Sequence, residues 1–344
     1  MTMPDVRPAD APPTGAPLTI VADIGGTNTR VALARGGEVL GDSLRHFRNA
    51  GHAGLEQVLS GYLGQVGGAQ PDLCCVAVAG PVQDGRAVMT NLDWRMSEES
   101  LARATGARRA LMLNDLQAQG HALGHVAPGR IRTVVDGPAG PGPMLVVGLG
   151  TGVNAAPVHG AGAARVVHPS ECGHVTLPVT CAEDFAFARF VEALPPEPGR
   201  TRRASVEEAL SGRGLGHVHR FLAAREGGAG GAGLGDSHAI IHALATGDAL
   251  ARAAVAMQVR LLGQVLGDLA LIHMPFGGIF LIGGMARALA PWCAEFGLAA
   301  TFRAPRWIDL LERAFSVSVI EDDNAALLGC AVHAAHSASH GVRR

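Results

Sequence analysis

Lysine is absent from all 344 residues, so the 28 positively charged side chains are all arginine. The absence rules out a lysine nucleophile and the phosphate-gripping lysine of a G-x-x-x-x-G-K-[ST] loop. Alongside 47 glycines and much alanine, it reads as genomic composition bias. The six cysteines, Cys74, Cys75, Cys172, Cys181, Cys293 and Cys330, form neither a C-x-x-C pair nor a zinc-ribbon spacing. Cys74 and Cys75 lie in an apolar run, where buried thiols are usual, and the set suits a reducing cytosol. No basic face stands out and the net charge is −2, which argues against nucleic acid as a partner. Met1 to Pro17 has neither a basic start nor an apolar core, so it reads as a disordered tail, not a signal peptide. Leu269 to Met285 is the most apolar stretch, yet His273, Pro275 and four glycines interrupt it, and no membrane span is expected.

What is present centres on V-A-D-I-G-G-T-N-T-R-V-A-L, Val21 to Leu33. An apolar, β-branched run leads to Asp23, then Gly25, Gly26, Thr27 and Asn28, then a second apolar run. This is strand, glycine turn, strand. Paired glycines let backbone N–H groups approach an anion, and Thr27 and Asn28 add donors. Asp23 would repel a bare phosphate. It makes sense with a divalent cation between them, held directly or, as preferred here, through water. The plain alternative is a β-hairpin with a glycine turn. M-L-V-V-G-L-G-T-G-V-N-A-A, Met144 to Ala156, repeats the grammar with Gly148, Gly150, Thr151 and Gly152. Neither unit opens a helix, so the dinucleotide fingerprint fails. Two such units predict a duplicated fold with halves across a cleft. The length allows two domains with sizeable cores.

Leu55 to Val66 has helical periodicity, and Leu73 to Ala79 reads as a buried strand. Arg86 to Asn91 reads as an edge strand, and Ser97 as the N-cap of a helix. Ala110 to Leu113 is a strand that delivers Asn114 and Asp115 to its carboxyl end, where open α/β sheets bind ligands. Arg225 to Asp236 is Gly/Ala-rich and reads as a mobile surface insertion. Ala249 to Leu271 is a long helix. Ile279 to Ile282 is a strand between paired glycines, and Asp322-Asp-Asn324 caps a closing helix to about His336.

These pieces, in order from about Leu18 to about His336, resemble bacterial glucokinase of the hexokinase/actin/Hsp70 superfamily. D-I-G-G-T-N-T-R and G-L-G-T-G-V-N resemble its two phosphate segments, and L-N-D-L its catalytic-acid segment. E-C-G-H-V resembles its E-G-G-H-V sugar motif, and V-E-E-A-L-S-G its E-x-x-L-S-G. F-G-G-I-F-L-I-G-G resembles its adenosine segment. The resemblance implies an α/β fold of two ribonuclease-H-like (actin-like ATPase) domains closing on sugar and ATP. The smaller would span 18–124, completed by 322–344, and the larger 125–321. The chain departs from the pattern at Cys172 and Asn154, where the family usually or often has glycine; both put the sugar range in question. The cysteine-rich zinc motif of the related repressor/kinase family is missing, which points to the zinc-free branch.

The resemblance implies Asp115 as catalytic base, with Asn114, Asp115, Glu171, His174 and Glu207 bonding the sugar hydroxyls. Asp23 would act through Mg²⁺, the expected cofactor. Gly25, Gly26, Thr27, Asn28, Gly150, Thr151 and Gly152 would line the ATP phosphates, and Gly283 and Gly284 would let adenosine lie against backbone. Read from the residues alone, Asp115 could be a helix N-cap, and Glu208 competes with Glu207, which is chosen by motif register. His121 and His125 lie at i, i+4, but no glutamate follows His121, so a surface or core role outweighs zinc. The expected activity is ATP-dependent phosphorylation of D-glucose at the 6-hydroxyl, by a cytoplasmic homodimer without membrane attachment. The alternatives are a kinase for mannose, fructose or an amino sugar, a non-catalytic sugar-binding regulator, and an actin-like or chaperone ATPase. ADP or polyphosphate could replace ATP as donor.

Overall fold

The computed structural model describes residues 15–89, 92–138, 140–195, 202–225, 227, 234–308 and 310–341. Most of the expected tail, most of the Gly/Ala-rich stretch 225–236 and the last two residues of the expected edge strand lie outside the described residues. The chain is mixed α/β and divides into two units, each built on a mixed sheet. The first comprises residues 1–126, 161–166 and 323–344; the second comprises 127–160 and 167–322.

In the first unit β1 (Leu18–Ile24) and β2 (Asn28–Arg35) form the glycine-turn hairpin. β3 (Glu38–Val39) and β4 (Arg45–Arg48) extend it, and α1 (Leu55–Gln65) follows. β5 (Leu73–Val78) lies parallel to β1 and is buried along its whole length, as a central parallel strand must be. A small meander, β6 (Val82–Gln83), β7 (Arg86–Met89) and β8 (Trp94–Ser97), leads to α2 (Glu98–Thr105). Ser97 caps α2 in a reciprocal pair with Ser100. β9 (Arg109–Asn114) is parallel to β5, and α3 (Asp115–Ala122) starts directly from it. The sheet order is β3-β2-β1-β5-β9, with β4 on β2.

The second unit orders its sheet β10-β15-β14-β11-β12-β13. Its strands are β10 (Ile131–Val135), β11 (Met144–Leu149), β12 (Val153–His159), β13 (Val166–Val167), β14 (Ile279–Ile282) and β15 (Val317–Ile320). β11 and β12 form the second glycine-turn hairpin, and β14 lies parallel to β11. Its helices are α4 (Ala182–Ala193), α5 (Val206–Leu210), α6 (Gly212–Arg225), α7 (Ser237–Ala245), α8 (Ala249–His273), α9 (Gly284–Leu289), α10 (Leu298–Phe302) and α11 (Leu310–Arg313). Asp248 caps α8, its Oδ1 accepting from Ala251 N at 2.7 Å. α8 is 25 residues long and apolar enough to cross a membrane by length and composition, and most of its apolar window is buried in the fold. It runs through the hydrophobic core of its unit.

The chain then returns to the first unit as α12 (Ala325–Gly341). Strand alternation explains how this helix is received. Ile20, Ala22 and Ile24 of β1 face α1 through Leu55, Val58 and Leu59. Val21, between them, faces Leu327, Cys330 and Ala334 of α12. α12 also packs on α3 at very short range. A Cβ on Gly329 would stand 1.6 Å from the Ala118 carbonyl oxygen, so only glycine permits the approach. His121 and His333 meet in this interface with ring centres 4.3 Å apart. Burial, reinforced by neighbouring positive groups, pushes His121 down to about 3 and His333 to about 4, which leaves both neutral at pH 7. His121 is thus a core residue. Residues 161–166 join the first unit through Arg165, whose guanidinium donates to the His121 and Leu123 carbonyls.

Candidate active site

The first turn, Gly25 to Asn28, is tight: Gly25 N donates to Asn28 O at 3.0 Å. Gly26, Thr27 and Asn28 are exposed. Asn49, 1 % exposed, staples this turn from behind. Its Nδ2 donates to Gly25 O at 2.8 Å, its Oδ1 accepts from Thr29 Oγ1 at 2.8 Å, and its backbone N donates to Thr27 O at 2.9 Å. No motif in the sequence includes Asn49, so nothing local marks it.

Asp23 faces Arg30 across the hairpin, and Arg30 Nη1 donates to Asp23 Oδ2 at 3.3 Å. The same guanidinium donates to the Asp323 carbonyl at 2.6 Å. Burial pushes Asp23 up, Arg30 opposes it, and the negative charge of Asp115 adds to the rise; the outcome is about 6. The parallel register sets Ile24, Val78 and Asn114 in one row at the strand ends. Asn114 therefore stands two strand spacings, about 10 Å, from β1.

Asn114 and Asp115 divide the work at the start of α3. Asn114, the residue before Asp115, is the N-cap: its Oδ1 accepts from Gln117 N at 2.9 Å, and Gln117 Oε1 accepts from Asn114 N at 3.1 Å. The N-cap alternative for Asp115 is thereby corrected. Asp115 occupies the first helical position, half-buried, and its Oδ1 accepts from Leu116 N at 2.8 Å. Capping uses one lone pair of the Asn114 side-chain oxygen and leaves the Nδ2 hydrogens as its donors to a ligand.

In the second unit the turn Gly150-Thr151-Gly152 closes with Gly150 N donating to Gly152 O at 3.0 Å. The V-E-E-A-L-S-G segment grips this turn from both sides. Glu207 Oε2 accepts from Val153 N at 3.0 Å, and Gly212 N donates to Gly150 O at 2.9 Å. Buried Gln258 of α8 steadies the segment by donating to the Ala209 and Ser211 carbonyls at 3.0 and 3.2 Å. The motif thus cradles the glycine turn, a role its sequence does not announce.

The adjacent glutamates differ. Glu207 pairs with Arg213 at 3.1 Å. Glu208 sits in a nearly enclosed cluster with Arg202 at 2.6 Å, Arg213 at 3.0 Å and His217 Nδ1 at 3.1 Å. Burial works against its charge, but the His217 hydrogen bond and the surrounding positive groups outweigh that and hold it below the usual carboxylate range.

Glu171 and His174 lie at a single 3-10 turn, Cys172–His174, and both are exposed. His174 N donates to Glu171 O at 3.1 Å. Gly283 and Gly284 open α9 beside the end of β11. Gly283 has φ +97°, and a Cβ there would stand 2.4 Å from the Leu149 carbonyl oxygen. A cleft of about 710 Å³ in this unit is lined by Gly150, Thr151, Arg213, Ser237, His238 and Gly284, among others. The start of α7, at Ser237 and His238, belongs to it although no motif points there.

Asp23, the first turn, Asn114 and Asp115 all belong to one unit. The second turn, Glu171, His174, Glu207, Gly283 and Gly284 all belong to the other. Among the described residues no three His, Cys, Asp or Glu side chains gather as a group able to hold a metal ion.

A family model described as Glucokinase matches residues 20–337. A glucokinase of Caulobacter sp. (strain K31) is 33% identical over 324 residues, covering 92% of this chain and 94% of that protein. Among solved structures, glucokinase from an Antarctic psychrotroph superposes with TM-score 0.81 at 27% identity, over 92% of this chain and 98% of the other. A ROK family glucokinase from Streptomyces griseus in complex with glucose and AMPPNP gives TM-score 0.60 at 21% identity, over 91% and 98%, a likeness of fold.

Proposed function

The chain belongs to the glucokinase family, and from that premise we propose that it transfers the γ-phosphoryl group of ATP to the 6-hydroxyl of D-glucose. The products are glucose 6-phosphate and ADP. The observation that carries the reading is Asp115: a half-buried carboxylate on the first turn of α3, delivered by the carboxyl end of β9. A sugar hydroxyl is a poor nucleophile. Asp115 accepts its proton as O6 bonds to phosphorus and the bond to the ADP oxygen breaks. Phosphoryl transfer is loose, so Asp115 chiefly orients the hydroxyl and takes the proton late.

Asn114 through Nδ2, Glu171, His174 and Glu207 bond the remaining hydroxyls. Each adjacent hydroxyl both donates and accepts, and an epimer that leaves one buried partner unpaired loses about 1–3 kcal/mol. Gly25, Gly26, Thr27 and Asn28, with Gly150, Thr151 and Gly152, line the phosphates, and Gly283 and Gly284 admit adenosine. At Gly150 and Gly284 the place of a Cβ is open space, so the fold itself does not require glycine there. Close approach of a ligand to backbone supplies a reason.

The residues fit Mg²⁺ carried by the nucleotide. Asp23 is one carboxylate, raised by burial and by Asp115, and a nearby cation relieves both effects. Mg²⁺ keeps several waters and needs one or two carboxylates beside the phosphates. When bound, the ion offsets charge on the phosphate oxygens. A cytoplasmic homodimer completes the reading; the free cysteines suit a reducing compartment.

Cys172 and Asn154 favour a second reading, a different preferred hexose. A panel of glucose, mannose, fructose and glucosamine, each with ATP and with polyphosphate, separates the two by sugar-phosphate formation. Glucose with ATP is expected to be fastest. Sugar binding without turnover would indicate a regulator, and sugar-independent ATP hydrolysis an actin-like ATPase. Asp115→Asn should keep the melting temperature and lose about two to four decades of kcat. Near-normal turnover in that variant would remove Asp115 from the mechanism.

A further inference from the structure

Asn154 stands on β12 opposite Gly148 of β11, half-buried. Its side chain ties strand to loop: Oδ1 accepts from Ala155 N at 2.8 Å on its own strand, and the remaining bonds go to the loop that carries Glu171. Oδ1 accepts from Cys172 N at 3.1 Å and lies 3.1 Å from Ser170 Oγ. Nδ2 donates to the Ser170 carbonyl and to Glu171 Oε2, the latter at 3.3 Å. This pattern fixes the amide's orientation. The Cys172 N–H can only donate and the Ser170 carbonyl can only accept, so oxygen and nitrogen have one assignment. One side chain therefore binds three consecutive residues, 170 to 172, through both backbone polarities.

Two further features press the same loop onto β12. Ser170 Oγ donates to Ala155 O at 2.7 Å. A Cβ on Gly173 would stand 1.9 Å from the Val153 carbonyl oxygen, so the turn lies directly against the strand. Cys172 packs against the hydrophobic core of its unit.

We propose that Asn154 is a positioning residue for Glu171. It anchors the 170–172 backbone and holds one oxygen of the Glu171 carboxylate, so that the other is presented to a sugar hydroxyl. The inference rests on Glu171 being a sugar ligand. Glycine at 154 can make none of these side-chain bonds. An exposed glutamate on an unanchored loop must be ordered by the sugar itself, and that ordering weakens binding. Asn154 does the ordering beforehand. By engaging Oε2 it also narrows the hydroxyl geometry that Glu171 accepts, which makes this residue a determinant of sugar selectivity.

The test is steady-state kinetics of the full chain, with glucose and ATP varied separately. Asn154→Gly and Asn154→Ala should raise the glucose KM about 5- to 20-fold, as loss of hydrogen bonds to a charged group implies, and leave the ATP KM within about twofold. Asn154→Asp, equal in size, sets carboxylate against carboxylate and should raise the glucose KM further. A merely structural role would lower melting temperature and kcat without separating sugar from nucleotide. Should the Asn154 variants not fold, Ser170→Ala removes only the hydroxyl ties and should raise the glucose KM about two- to fourfold. Wild-type glucose KM in the folded variants overturns the role of Asn154 alone. A wild-type chain that phosphorylates no hexose overturns this inference together with the reading of Glu171.

Discussion

Glu207 and Glu208 are neighbours of identical chemistry, and their surroundings assign them different work. Glu208 is enclosed by Arg202, Arg213 and His217, so its charge belongs to the fold. Glu207 holds the Val153 N–H with one oxygen and meets Arg213 with the other. A glutamine at 207 can still accept from Val153 through its amide oxygen, so the turn survives while the carboxylate is lost. Glu207→Gln should therefore raise the glucose KM about tenfold with little change in melting temperature. Glu208→Gln should leave KM near wild type and cost about 1–3 kcal/mol in a urea melt, because it strips charge from a nearly enclosed cluster. The reverse pattern would move the sugar contact to Glu208.

At the scale of elements, the second unit depends on how closely β14 can run beside β11. Gly283 closes that gap. Its φ of +97° lies where side chains are strained, and a methyl would meet the Leu149 carbonyl at 2.4 Å. Backbone on both sides leaves nothing flexible to yield. Gly283→Ala should cost about 2–4 kcal/mol in a thermal or urea melt, whereas Gly284→Ala, with open space at its Cβ, should cost under about 1 kcal/mol. Equal losses at the two positions would show that the close approach is not what the glycine serves. The glycine hairpins themselves are legible in the chain because each is local: two apolar runs and the turn between them fall within a dozen or so residues. The groups that hold those turns are not. Asn49 reaches Gly25 across 24 positions, and Gly212 reaches Gly150 from a separate helix start. Periodicity and motif spacing carry no trace of such tertiary partners. The position of the cap on α3 hung on one residue, since Asn and Asp are both good caps and only the observed bonding to Gln117 decides between them.

For the whole molecule, the mixed α/β architecture was legible from the alternation of buried strands and amphipathic helices. The glucokinase resemblance was legible from motif order. What the chain could not disclose was membership at the edges: residues 161–166 belong with the first unit because Arg165 binds carbonyls at the end of α3. The most apolar helix, α8, likewise passes a membrane test by composition while serving as a core element.

The late return of α12 bears on biosynthesis. Emerging from the ribosome, the nascent polypeptide displays its first sheet with one side uncovered, Val21 and Cys75 included. The helix that covers them is translated only after the entire second unit, which can condense first. α3, the helix bearing Asp115, lacks its Gly329 neighbour until then. A released chain truncated after residue 323 should be resistant to limited proteolysis across 167–322 and susceptible across 18–126; equal resistance of both regions would contradict this order of assembly.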